Sequence, residues 1–62
     1  MSKFMWWGYL HTNGTIQVKR HIDYKDILIA KNSDFVVRVI RPFLANDRDD
    51  AIRICKEVIE SD

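Results

Sequence analysis

The 62-residue chain holds one cysteine, one proline and two glycines. A single cysteine cannot close an internal disulfide, which excludes a secreted disulfide-stapled scaffold. Two glycines, Gly8 and Gly14, leave no Gly-rich loop to cradle a phosphate. No apolar run is long enough to cross a bilayer, and Met1-Ser2-Lys3 leads straight into a strand pattern with no room for a signal peptide. A cytoplasmic location is therefore expected. An excess of one charge is also missing. Ten Lys and Arg stand against nine Asp and Glu, for a formal net charge of +1. That removes the compositional argument for nucleic-acid binding without forbidding it.

What is present reads as one folded domain over residues 1–62. The apolar fraction of 47% is ordinary for a globular chain and argues against disorder. A chain of about 60 residues buries only about 60% of its unfolded surface, so a deep catalytic cleft and an independent core do not fit together.

The organising stretch is residues 5–22, read as a β-hairpin closed by Asn13-Gly14. A two-residue type I′ turn needs positive φ at both central positions, which Asn tolerates and Gly accepts freely. That turn sets Thr12 opposite Thr15, His11 opposite Ile16, Tyr9 opposite Val18, Trp7 opposite Arg20 and Met5 opposite Ile22. Side chains alternate across a strand. Met5, Trp7, Tyr9, Ile16, Val18 and Ile22 therefore form the expected core side. Phe4, Trp6, Gly8, Leu10, Gln17, Lys19 and His21 form the outer face. A slip of one residue would exchange the two.

Asp23 is placed to cap a short helix whose Tyr24, Ile27 and Leu28 face the sheet at helical spacing. Asn32-Ser33-Asp34 ends it. Residues 35–44 read as a third strand with Phe35, Val37 and Val39 inward. Pro42 cannot donate to a ladder, so the strand is an edge strand or carries a bulge near Arg41-Pro42, after which Phe43 or Leu44 re-enters the core. Asn46 or Asp47 caps a last helix whose apolar stripe is Ala51, Ile54, Cys55 and Val58, widened by Ile52 and Ile59. The fold class is α+β, β-β-α-β-α. The simplest assembly is a three-stranded antiparallel sheet of order 2-1-3 with two helices on one face, which leaves the Phe4/Trp6/Leu10 face uncovered.

Little in the chain looks like a reactive centre. His11, His21 and Cys55 are the only soft metal ligands, the two histidines fall on opposite sheet faces in this register, and a four-ligand zinc site cannot be assembled. No metal or cofactor is expected. Cys55 sits on an apolar stripe as a small hydrophobe. Asp47, Asp49 and Asp50 gather at a helix start, where carboxylates satisfy free N–H groups and the dipole. No nucleophile–base pair can be assembled, so no enzyme is expected and no catalytic residue is assigned. Gly8, in mid-strand opposite Lys19, marks either a close approach by another backbone or ligand, or room made between Trp6 and Leu10.

Trp7-Gly8-Tyr9, His11-x-Asn13-Gly14-Thr15, Val18-Lys19-Arg20, Phe35-Val36 and Pro42-Phe43 together resemble a group of short uncharacterised bacteriophage proteins, over most of the chain. The resemblance implies a phage origin and a partner from host or phage. It carries no functional residue.

The functional expectation is a small non-enzymatic binding module that docks the outer sheet face on a protein, or on a second copy of itself. Trp6 would be the anchor, Phe4 and Leu10 its apolar surround, and Lys19, His21 and Arg38 the polar rim. The alternative is a single-stranded nucleic-acid binder that uses the same aromatic and basic residues as stacking platforms. No membrane and no small-molecule substrate are implied.

Overall fold

The computed structural model of the chain describes residues 3–61. Five elements follow in the expected order: β1 (Phe4–His11), β2 (Ile16–Arg20), α1 (Tyr24–Lys31), β3 (Val36–Ala45) and α2 (Arg48–Glu60). The sheet order is β2-β1-β3, with both pairs antiparallel. This is the α+β, β-β-α-β-α arrangement that the sequence predicts.

The hairpin turn is one residue longer than a type I′ turn. The His11 carbonyl accepts from Gly14 N–H at 2.9 Å, and His11 N–H donates to the Thr15 carbonyl at 2.8 Å. Among the described residues, Gly14 alone has positive φ, at 89°. Thr12-Asn13-Gly14 is thus a three-residue loop with glycine in the left-handed bulge position. Asn13 serves through its side chain instead: its Oδ1 accepts from Thr15 N–H at 3.0 Å.

That extra residue slides the register by one. Trp6 lies opposite Arg20, Trp7 opposite Lys19, Gly8 opposite Val18 and Leu10 opposite Ile16. Ile16 and Val18 therefore share a side with Trp6, not with Trp7. Ile22, expected inside, is 86% exposed.

The second correction concerns the helices. They lie on opposite faces of the sheet, not on one. Trp6, Val18 and Ile40 pack with Ala51 and Cys55 of α2, while Trp7 packs with Ile27 and Ala30 of α1. The cause is strand alternation. Successive residues of β1 point to opposite sides, and both Trp6 and Trp7 are large and apolar. Each side needs a roof, and each helix supplies one. Within α1 the buried residues are Ile27 and Ala30, with Tyr24 and Leu28 about half exposed. The expected inward set of Tyr24, Ile27 and Leu28 holds only for Ile27.

β3 carries two irregularities. Trp6 pairs with Phe43 and Gly8 with Ile40, so Arg41 and Pro42 together oppose Trp7. This is the bulge expected at Arg41-Pro42, and it returns Phe43 to the edge of the Trp6 core. A second extra residue, Val37, lies between the Leu10–Arg38 and His11–Val36 pairs. Val37 and Phe35, expected inside, are 63% and 65% exposed, and Ile40 is buried in their place.

Both helix starts are capped as predicted. Asp23 accepts from Lys25 N–H at 3.1 Å, and Asp47 accepts from Asp50 N–H at 2.8 Å.

Gly8 has a structural explanation. A Cβ there would lie 2.7 Å from Cys55 Sγ and 2.9 Å from the Gln17 carbonyl oxygen. The missing side chain lets α2 sit down on β1. Gly8→Ala is expected to destabilise the fold by about 1–3 kcal/mol through overpacking. Adding Cys55→Ala should recover only part of that loss, because the Gln17 carbonyl stays in place. Urea unfolding midpoints of the single and double variants check this, and a neutral Gly8→Ala would contradict the packing.

Candidate docking surface

The six residues expected to form the contact face do not share a surface. Trp6, the expected anchor, is only 9% exposed and belongs to the core beneath α2. Phe4 and Leu10 alternate with it on β1, and Arg38 pairs with Leu10, so these lie on the α2 side. Lys19 pairs with Trp7 and falls on the α1 side. His21 follows it there by alternation, with its N–H donating to the Met5 carbonyl at 2.9 Å. The register shift also sets His11 and His21 on one side of the sheet, but at opposite ends of the hairpin.

The aromatic–basic face therefore resolves into smaller contacts. Arg20 stacks over Phe4 at 3.8 Å from the ring centroid and lies 5.7 Å from that of Trp6, closing the open end of the α2-side core. His11 stacks on Phe35 with centroids 5.9 Å apart. The ring of His21 stands edge-on to Tyr24.

Titratable groups do structural work. Asp50 accepts from Asn46 N–H at 3.0 Å and from Arg53, and these bonds hold its carboxyl below the usual carboxylate range. Arg53 also donates to Glu57 at 2.9 Å. Arg53 thus bridges Asp50 at i, i+3 and Glu57 at i, i+4 along the exposed side of α2. Among the described residues, no three His, Cys, Asp or Glu side chains converge as metal ligands. No helix among them is long and apolar enough to cross a membrane.

What the fold leaves open lies elsewhere. α1 carries apolar residues beyond its sheet-facing side: Ile27 and Ala30 face the sheet, while Tyr24, Leu28 and Ile29 are 53%, 49% and 67% exposed alongside the charged Lys25, Asp26 and Lys31. Large apolar side chains left exposed on one short helix mark a candidate contact surface. Met5 and Leu44, cross-strand neighbours on the same side of the sheet, are 40% and 56% exposed. A cleft of about 500 Å³ runs between α1 and β3, lined by Tyr24, Ile27, Lys31, Val39, Arg41 and Pro42. Across β3, a cleft of about 370 Å³ is lined by residues 38–43 with Ile54 and Val58 of α2. Sequence periodicity missed this surface because nearly every position in the middle of α1 is apolar, so spacing could not say which ones would be left outside.

Comparison of the chain with protein-family models, with curated proteins and with solved structures gives no match.

Cys55 is fully buried, and burial pushes its thiol up to about 11 from an ordinary value of 9.0. The folded state keeps the thiol proton to higher pH than the unfolded chain does. The stabilisation from this group is complete below about pH 9 and is lost as pH rises through the folded value. Compared with Cys55→Ala, the wild type should lose more stability between about pH 8 and about pH 11. The native thiol should also resist a disulfide reagent until the chain unfolds, and rapid native labelling would contradict its burial.

Proposed function

We propose that the protein is a small non-enzymatic binding module, acting in the cytoplasm, that docks on another protein through the apolar outer surface of α1. The observation that carries this reading is α1 itself. Eight residues long, it buries only Ile27 and Ala30 and holds Tyr24, Leu28 and Ile29 towards solvent. A marginally stable chain of this size gains nothing in folding from exposed Ile29, and large apolar side chains left exposed on one element are characteristic of contact sites. The chemistry of the interior points the same way. The one thiol is buried and held in its neutral form, and at the start of α2 Asp47 and Asp50 are engaged in hydrogen bonds to backbone N–H groups.

This surface replaces the one centred on Trp6 and keeps the same kind of activity. The resemblance to short bacteriophage proteins supports a host or phage protein as the partner. The nucleic-acid alternative loses its platform, since Trp6 is under α2 and Lys19 lies on the other side of the sheet from Phe4.

Ile29→Lys tests the proposal. Its side chain is exposed, so stability should stay within about 0.5 kcal/mol of wild type. Affinity capture from bacterial lysate with the two proteins side by side should yield a partner that the wild type retains and the variant loses. An identical set of captured proteins, with both chains folded, would refute docking through α1.

A further inference from the structure

We propose that the free edge of β3 receives an extended, acidic segment of the partner as a fourth strand. This deepens the protein-docking reading and rests on it.

β3 is ten residues long and, among the described residues, pairs only with β1, so its other side is a sheet edge. Three of its residues, Val39, Arg41 and Pro42, line both the α1-side cleft and the α2-side cleft. A strand residue is reached from both faces of a sheet only where the edge is uncovered. An extended chain laid along that edge sends alternate side chains to opposite faces. It would therefore drop successive side chains into clefts of about 500 and 370 Å³, while its main chain pairs with the edge. Pairing of this kind draws affinity from main-chain bonds and specificity from the two sets of pockets. Both clefts have aliphatic walls, from Ile27 and Val39 on one side and from Ile40, Ile54 and Val58 on the other.

The sign of charge selects the occupant. Among the described residues, the charged ones that line the clefts are Lys31 and Arg41 on the α1 side, and Arg38 and Arg41 on the α2 side, with no carboxylate in either lining. Complementary potential favours an acidic segment. The same residues disfavour a second copy. Two β3 strands pairing antiparallel about Val39 and Ile40 would set Arg38 of each beside Arg41 of the other, and like charges directly opposite destabilise a sheet. The bulges at Val37 and at Arg41-Pro42 break β3 into short regular stretches, residues 38–40 and 43–45. That suits a short incoming segment and blocks long self-pairing.

The test uses the full chain, labelled with nitrogen-15, and three probes. One is an octapeptide with four central Val and Leu residues flanked by two acidic residues at each end. The second carries Lys at the acidic positions, and the third is an oligothymidine. Amide shifts with the acidic peptide are expected to concentrate at residues 37–42, with slowed exchange at outward β3 amides. The Lys peptide should bind about tenfold more weakly or worse, and Arg41→Glu should reverse that preference, with Arg41→Gln intermediate. No shifts at the edge, equal binding of the two peptides, tighter binding of oligothymidine, or self-association through β3 would each overturn the proposal. If the acidic peptide fails while Ile29→Lys still abolishes partner capture, the edge-pairing fails and the docking function stands. If Ile29→Lys changes nothing while the peptide binds, docking through α1 fails.

Discussion

The fold answers to one constraint: neighbouring residues on a strand point to opposite sides, and β1 places Trp6 next to Trp7. Truncating a buried tryptophan costs about 3–5 kcal/mol. A chain of this length has a total stability of only roughly 3–9 kcal/mol. Neither indole can be left in water, so both faces of the sheet must be covered. The element order does this with two short helices. The connection from β2 to β3 lays α1 over Trp7, and the chain then returns α2 across Trp6. The two roofs are unequal. α2 is amphipathic and comes so close that β1 has glycine beneath Cys55. α1 is eight residues long, and much of its apolar surface is left over.

The order of elements, the sheet order, both helix caps and the Arg41-Pro42 bulge were legible from the residues, because each depends on local chemistry that a single position declares. Aspartate caps at residues 23 and 47, and a proline that cannot donate to a ladder, mean the same thing in any surroundings. The hairpin register was not legible. Asn13-Gly14 suits a two-residue turn with both φ positive, and it suits equally a three-residue loop in which only Gly14 is left-handed. Nothing in Thr12 separates the two, and the structure adopts the second. One residue of slip moves Ile16 and Val18 from the side of Trp7 to the side of Trp6. The placement of both helices on one face, and a contact site centred on Trp6, followed from the wrong register. The sequence did hold a warning: Phe4, Trp6 and Leu10 opposed Met5, Trp7 and Tyr9, and two such faces cannot both be solvent faces in a chain that must save every apolar contact.

The same unequal coverage decides which surface is left open. Arg20 lies over Phe4 at one end of the α2-side core. The α1 side carries more of the large exposed apolar residues. Leu28, Ile29, Met5 and Leu44 remain exposed on it, and the adjoining edge of β3 bears arginine on a strand that is otherwise largely aliphatic. In β3, bulges and proline blunt the edge against copies of itself, and they leave a short stretch with a cleft on each side. The uncovered surface is where the fold ran out of helix.

The most direct measurement of this account is the set of nuclear Overhauser contacts made by the two indole rings. The fold predicts contacts from the Trp6 ring to Ala51 and Cys55 of α2, and from the Trp7 ring to Ile27 and Ala30 of α1, with none crossing between the sets. Contacts from both rings to the same helix, or a Trp6 ring with no helix contact and full access to a soluble quencher, would contradict it.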